Sequence, residues 1–150
     1  MNPFEITRIT RNNILGLIDE LSVSQLNAIP EGFNNNIIWH IGHLLATQQL
    51  LTYGLSGIDF LLSDNIIEEF RKGTKPEKEY LEDDIEELKF VFIEVITETE
   101  VDFNEGVFKT FNSYPTSFGI TLETVSDAIT FNNVHEGLHM GLIMSMRKLV

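Results

Sequence analysis

The chain has 150 residues and a formal net charge of −13, because 23 acidic side chains outnumber 10 basic ones. This charge disfavours a nucleic-acid partner, since sequence-independent affinity for phosphate comes from Lys and Arg. The absence of Cys excludes disulfides, a thiolate metal site and a thiol nucleophile of its own. No apolar run reaches the ~20 residues of a membrane span, and the N-terminus lacks a basic segment followed by an apolar one. We therefore expect a cytoplasmic protein with a single domain over residues 1–150.

The first segment predicts one long helix followed by a short one. Asn2 and Pro3 are typical of a helix start, and apolar residues at helical spacing continue this helix to about Leu21. Ser22 and Gln25 then form a candidate capping box for the short helix, in which each side chain bonds the other residue's backbone N–H.

A second long helix is predicted to begin after three asparagines at 34–36 and to end near Gly54. Its broad apolar face indicates that it packs into a core. His40 and His43 lie three residues apart within it, beside Trp39, the sole tryptophan. These polar groups therefore sit where the pattern otherwise predicts burial.

A short helix between about residues 64 and 72 is predicted to precede the third long helix. Thr74 and Glu77 resemble a capping box for this third helix, with Pro76 tolerated in its first turn. Apolar residues then recur at the clearest helical period of the chain: Leu81, Ile85, Leu88, Phe92 and Val95 or Ile96. The opposite side is acidic, which indicates a solvated outer face rather than a cation site.

Helical periodicity fails between about residues 101 and 120. Five aromatic residues lie in this segment among glycines and a proline: Phe103, Phe108, Phe111, Tyr114 and Phe118. A connection of this length is unusual in a compact domain and is often functional. So many aromatic side chains favour a segment that packs down, either as a lid over a site or as a loop over the end of a bundle.

The last predicted helix has Thr121 as its cap and runs nearly to Val150. Four long helical patterns without a convincing strand pair predict an all-α protein, a four-helix bundle. This bundle is expected to carry a short extra helix and the aromatic-rich connection before its last helix.

Two histidines in the last helix, His135 and His139, are four residues apart and project from one face, one turn apart. That geometry suits a shared metal ion, and either His43 or His40 can supply a third ligand from another core-facing helix. Three nitrogen ligands leave a position open for water or substrate, as in catalytic sites. Neutral imidazoles suit zinc or nickel, with iron and manganese as further candidates. The alternative is a set of ordinary buried histidines, each bonded to a polar neighbour.

Residues 135–139 match the H-E-x-x-H pattern of zinc proteases, in which a third metal ligand follows downstream in the sequence. Eleven residues follow His139, and none is His, Asp or Glu. We therefore set the protease interpretation aside. Glu136 points about 100° away from His135 around the helix. It is a candidate general base, a partner of a ligand, or a contact within the bundle.

The segment from Asn35 to Leu44, with its Trp-His-Ile-Gly-His core, and the pattern His135-x-x-x-His139-x-Gly141 resemble the second and closing helices of the DinB/YfiT-like metalloenzyme superfamily. The resemblance extends over the whole chain in length, helix order and position of the motifs. It implies a four-helix bundle of the DinB type.

The resemblance also implies which residues form the site. His43, His135 and His139 match the metal ligands. His40 does not match a ligand position, and we expect it, with Trp39, to be a pocket residue or a partner of a ligand. Replacement of His43 by His40 as the third ligand is the second option.

Characterised members of this superfamily include metal-dependent transferases and isomerases that use low-molecular-weight thiols such as bacillithiol or mycothiol. The resemblance therefore implies a thiol-dependent S-transferase, or a related transferase or hydrolase, that acts on a small molecule. Glu136 is a candidate catalytic residue of such an enzyme. The alternative is a non-catalytic, stress-associated bundle that binds metal. The resemblance further favours a homodimer.

Overall fold

The computed structural model describes residues 2–150 as six α-helices and one short pair of strands. The helices are α1 (Pro3–Ile18), α2 (Val23–Asn27), α3 (Ile37–Gln49), α4 (Asp64–Phe70), α5 (Glu82–Asn104) and α6 (Val125–Met146). A π-helical turn at Leu50–Gly54 prolongs α3. Strands β1 (Tyr114–Pro115) and β2 (Thr121–Leu122) pair antiparallel. The all-α fold class is confirmed, although the expectation of no strand pair was wrong at this small hairpin.

The four long helices α1, α3, α5 and α6 form the bundle. Both α1 and α3 pack against α5 and α6, so α1 and α3 lie across the bundle from each other. Twelve of the 13 residues of α3 are buried, which makes it the central helix of the core. Within residues 2–150, no helix has both the length and the apolar character of a membrane span.

The short helix α4 covers one side of α3, and Gly42 permits its close approach. A Cβ atom at Gly42 would lie 2.4 Å from ring atoms of Phe70, the last residue of α4. That distance is far shorter than a carbon–carbon contact, so any side chain at residue 42 would displace α4. This packing fixes the end of α4 beside the histidines of α3.

Three predicted helix starts are confirmed. The side chains of Asn2 and Asn36 each accept a hydrogen bond from a backbone N–H in the first turn of α1 and α3. Ser22 and Gln25 make the reciprocal capping box of α2. Each of these bonds satisfies an N–H group that has no partner within its helix.

The predicted start of the third long helix at Thr74 was wrong, because α5 begins at Glu82. The Thr74 hydroxyl is engaged elsewhere: it donates to the carbonyl of Arg71 and accepts from Trp39 Nε1. Downstream, α5 follows the predicted pattern. The predicted apolar stripe is buried at Ile85, Leu88, Phe92, Val95 and Ile96, and the acidic side is exposed. Leu81, the first residue of the predicted stripe, is exposed.

The predicted cap of the last helix at Thr121 was also wrong, because Thr124 caps α6. Thr124 Oγ1 accepts from the backbone N–H of Asp127, whose carboxylate accepts from that of Thr124. Thr121 instead pairs with Pro115 in the hairpin. In this hairpin Thr116 donates from both its backbone N–H and its hydroxyl to the carbonyl of Ile120. These local bonds hold residues 114–122 outside the helix.

The aromatic-rich connection packs down onto the bundle, as predicted, but it begins later because α5 continues to Asn104. The ring of Phe108 lies 5.0 Å from that of Tyr53, and the ring of Phe118 lies 5.5 Å from that of Phe131. The backbone N–H of Asn112 donates to the carbonyl of Leu55. The connection therefore covers the end of the bundle formed by the π-helical turn and α6.

Candidate metal centre

The packing of α3 against α6 brings three histidines together. His43 comes from α3, and His135 and His139 come from one face of α6. One ring nitrogen of each residue lies within 4.8 Å of those of the other two. His43 and His139 are buried and His135 is half-buried. The residues predicted as ligands therefore form a cluster whose nitrogens are close enough to share one ion.

A backbone carbonyl orients the ring of His43. Its Nδ1 lies 2.7 Å from the carbonyl oxygen of Phe70, which can only accept a hydrogen bond. Nδ1 therefore carries the proton, and Nε2 presents its lone pair as an acceptor. The hydroxyl of Thr47 is a long 3.3 Å from Nε2. A donated bond from the second ring nitrogen to a carbonyl is the usual arrangement for a metal-binding histidine.

His40 contacts the ring of His139 instead of joining the cluster. The two Nδ1 atoms lie 2.8 Å apart, so one of them donates and the other accepts. This bond fixes the orientation of His139 from the buried side of α3. This contact is the one expected of a residue that orients a metal ligand. The supporting role of His40 stays a prediction.

Trp39 supports His43 from the other side. The two rings are stacked, with centroids 4.6 Å apart and an interplanar angle of 9°. The indole Nε1 of Trp39 donates to Thr74 Oγ1 and thereby anchors the indole. The predicted neighbour of the site is thus a flat wall against which the imidazole of His43 is held.

His135 supplies the observation that tests whether this cluster fits a metal. Its Nδ1 is buried and, within residues 2–150, has no hydrogen-bond partner. Buried polar atoms are normally paired, because a nitrogen that has lost water without gaining a partner costs free energy. The three clustered side chains are imidazoles, without a carboxylate or thiolate among them, which suits zinc or nickel. The residues present therefore fit a divalent cation.

The electrostatics keep these imidazoles neutral. Burial lowers the pKa of His135 to about 3, with a further contribution from the charge of His43. Burial likewise lowers the pKa of His139 to about 2, followed by the charge of His135. The pKa values of His40, at about 4, and of His43 are lowered chiefly by burial as well. Since the neutral imidazole is the metal-binding form, the cluster is in that form at neutral pH.

A cavity of about 450 Å³ opens beside the cluster, with His43 and His135 in its wall. The π-helical turn after α3 supplies apolar lining, and the hairpin supplies Tyr114, Ser117 and Phe118. The volume lies within the range of small-molecule sites. Part of the aromatic-rich connection thus lines the cavity, as the lid alternative predicts.

Glu136 faces away from the cluster, into the centre of the bundle. Its side chain is fully buried, and Oε1 accepts from Arg11 Nη2 at 2.6 Å, from Arg11 Nε at 3.0 Å and from Asn132 Nδ2 at 3.2 Å. Within residues 2–150, none of its hydrogen bonds reaches a histidine. These contacts are those of the bundle-contact alternative, and a catalytic role for Glu136 remains a hypothesis.

Sequence reasoning missed two residues of this region, Arg11 and Lys72. Arg11 is fully buried, and it also donates to the carbonyl of Phe92 and to Gln48 Oε1. The sequence signal for Arg11 was a basic residue at helical spacing within the apolar stripe of α1, which continues with Ile14. Lys72 follows the end of α4 and lines the cavity. No local pattern identifies that position, because the cavity wall is assembled from distant segments.

The sequence matches the family model described as the DinB superfamily over residues 6–143, nearly the whole chain. The chain belongs to the DinB superfamily, which confirms the family predicted from the two histidine motifs. A search of curated proteins finds no match to this chain.

Proposed function

We propose that the protein is a metal-dependent enzyme in which His43, His135 and His139 hold one divalent cation, with zinc or nickel as the first candidates and iron or manganese after them. One observation carries this proposal: three neutral imidazoles converge, and two of them, His43 and His135, lie in the wall of a cavity large enough for a small molecule. A purely structural metal would not require the cavity, whereas a catalytic site needs access for substrate.

The residues around the cluster have distinct parts in this proposal. The carbonyl of Phe70 and the ring of Trp39 hold His43, and His40 holds His139. The apolar lining of the cavity keeps bulk water away from a bound substrate. When bound, a divalent cation lowers the pKa of a thiol or water and so supplies a nucleophile near neutral pH. We assign no step to Glu136, because its carboxylate is bonded to Arg11 and Asn132.

The proposed reaction is transfer involving a low-molecular-weight thiol, or a related transfer or hydrolysis. Membership of the DinB superfamily supports this class, and the absence of Cys in the chain is consistent with an external thiol. We further propose that the protein works in the cytoplasm, where small thiols are kept reduced.

The proposal is tested by metal analysis followed by a turnover screen. Purified protein is expected to contain close to one equivalent of metal, and the stripped protein to rebind it. The His139→Ala variant should lose more affinity than the about 10–100-fold that loss of a ligand's partner costs. Met144→Ala, an exposed position on the same helix, is the matched control. The loaded protein is then screened with several small thiols against electrophiles and esters.

Full metal loading without turnover of any thiol or ester would contradict the enzyme and leave a metal-binding bundle. That second function is favoured by one feature, since the ligands come from two helices and an ion would cross-link α3 to α6. In that case chelation should lower the melting temperature of the wild type, because a ligand of the folded state stabilises it by mass action. His139→Ala should show no such response. An unchanged wild-type melting temperature on chelation would refute the structural metal.

We also propose that the protein forms a homodimer through the outer faces of α1 and α6. Ile9 on α1 and Val134 and Leu138 on α6 are each about half exposed, and they supply apolar surface on two helices that pack against each other. Sedimentation of the wild type and of Leu138→Glu tests this proposal. A monomer at every wild-type concentration would refute it.

A further inference from the structure

The cavity beside the histidines differs in charge from the rest of the molecule. The chain carries 23 acidic residues, yet within residues 2–150 no Asp or Glu lines this cavity. Apart from the two neutral histidines, Lys72 is the one titratable basic side chain in its wall. A separate open cleft near α4, of about 1020 Å³, has three glutamates and two lysines in its lining. The histidine cavity is therefore a positively biased site in an acidic protein.

The charge of Lys72 is not neutralised by a neighbour. Within the described residues its ammonium group takes part in no ion pair, whereas the adjacent Arg71 bonds Glu68 and the nearby Lys78 bonds Glu69. Lys72 and His43 both line this cavity. The cavity wall thus includes an exposed lysine without an ion-pair partner.

The remainder of the wall is suited to an apolar ligand body. Leu50, Leu51 and Leu55 lie on one side, and the edge-to-face pair of Phe118 and Phe131 lies on another. A ligand that uses the whole cavity would bury apolar surface against these side chains and place a polar group near Lys72.

We propose, on the basis of the function proposed above, that the cavity takes a small molecule with an apolar body and a carboxylate, and that Lys72 selects the carboxylate. An ammonium group without an ion-pair partner attracts an anion without first breaking an existing contact. A cationic ligand would meet repulsion at the same point. Lys72 is therefore a specificity-determining residue.

The test compares three probes that share one body: 3-phenylpropionate, the neutral 3-phenylpropanol and the cationic 3-phenylpropylamine. Binding is measured by calorimetry, because Trp39, the sole tryptophan, lines the separate cleft and its fluorescence would not report on this cavity alone. Both zinc-loaded and chelated protein are used. In each form the carboxylate should bind about fivefold tighter than the alcohol, and added salt should reduce this ratio.

Lys72→Met should bring the ratio of carboxylate to alcohol affinity to about one, and Lys72→Glu should make the amine the preferred probe. The exposed Lys75 faces the other cleft, so Lys75→Met is the matched control and should keep the wild-type ratio. A preference unchanged in Lys72→Met and lost on chelation would mean that the carboxylate binds the metal, which overturns the inference. Failure of the carboxylate to bind at all would also overturn it. This experiment measures binding and not turnover. A protein that shows the expected preference but fails the turnover screen would therefore refute the proposed enzyme and leave the role of Lys72 standing.

Discussion

Two faces of α6 carry polar groups that differ in charge and in surroundings. On one face the carboxylate of Glu136 accepts from Arg11 and Asn132, and the negative and positive charges balance at the centre of the bundle, while Glu136 Oε2 and Asn132 Oδ1 have no partner within residues 2–150. On the next face His135 and His139 are neutral, and His135 Nδ1 has no partner within residues 2–150. The residues of the two faces alternate over about two turns of helix, so the sequence neighbours Glu136 and His135 belong to different sites.

The difference shows how structural and functional polar groups can be separated in one core. A charge pair in the interior must be balanced and bonded, since burial of an unpaired ion is costly. Bases held neutral beside a cavity, with a lone pair unused, are instead available to a ligand. The comparison predicts that substitutions on the Glu136 face mainly change folding stability and those on the histidine face mainly change metal binding.

The largest expected effect comes from breaking the ion pair. Arg11→Met leaves the carboxylate of Glu136 buried without its cation, and it should lower the free energy of unfolding by about 3–5 kcal/mol. Urea denaturation of the chelated protein measures this loss. The double variant Arg11→Met with Glu136→Leu should regain most of it, because a well-packed apolar pair can replace an ion pair.

The double variant should also retain wild-type zinc affinity, which separates the two faces. A single variant Arg11→Met with near wild-type stability would show that the bundle does not depend on the pair. A double variant with strongly weakened zinc binding would show that both faces form one site.

An effect of intermediate size for each titrating histidine is expected from acid on the chelated protein. The histidines have an ordinary pKa near 6.5 when unfolded, whereas burial lowers the folded pKa of His40, His135 and His139 to about 4, 3 and 2. Below pH 6.5 the unfolded chain therefore binds more protons than the folded one, and stability falls as pH falls. Each such histidine contributes about 1.4 kcal/mol per pH unit in this window.

Urea midpoints of the chelated protein between pH 7.5 and 5 measure this slope. His135→Gln removes one titrating group and should make the slope shallower, whereas Met144→Ala, at an exposed position of the same helix, should leave it unchanged. Equal slopes for the wild type and His135→Gln would mean that His135 is not held neutral by the fold.

The smallest effect is expected from the partner of a ligand. His40→Ala removes the group bonded to His139 Nδ1 and should weaken zinc binding by about 10–100-fold while the helix content stays the same. His40→Asn keeps a polar group near the lost nitrogen and should recover part of the affinity. Competition titration against a chelator of known affinity gives the values, and unaltered binding by His40→Ala would exclude its supporting role.

Much of this fold follows from local sequence. The spacing of apolar residues and the caps at Asn2, Ser22 and Asn36 predicted where α1, α2 and α3 begin, because these interactions join residues within one turn. The paired motifs around His43 and His139 predicted the family because each motif is a short run of neighbouring residues. Helical period and capping are properties of neighbouring residues, so sequence reading reaches them directly.

Tertiary structure decided the features that depend on distant partners. Thr74 caps no helix because Trp39 Nε1 donates to its hydroxyl, and Thr121 is drawn into a hairpin. Arg11 and Glu136 are separated by 125 residues, and Lys72 reaches the cavity only because α4 packs on α3. Such contacts arise when helices close on one another, and the residues concerned carry no local signal of where they will meet. The sequence by itself determined the helices and the candidate ligands, while packing determined which polar groups are balanced and which remain available.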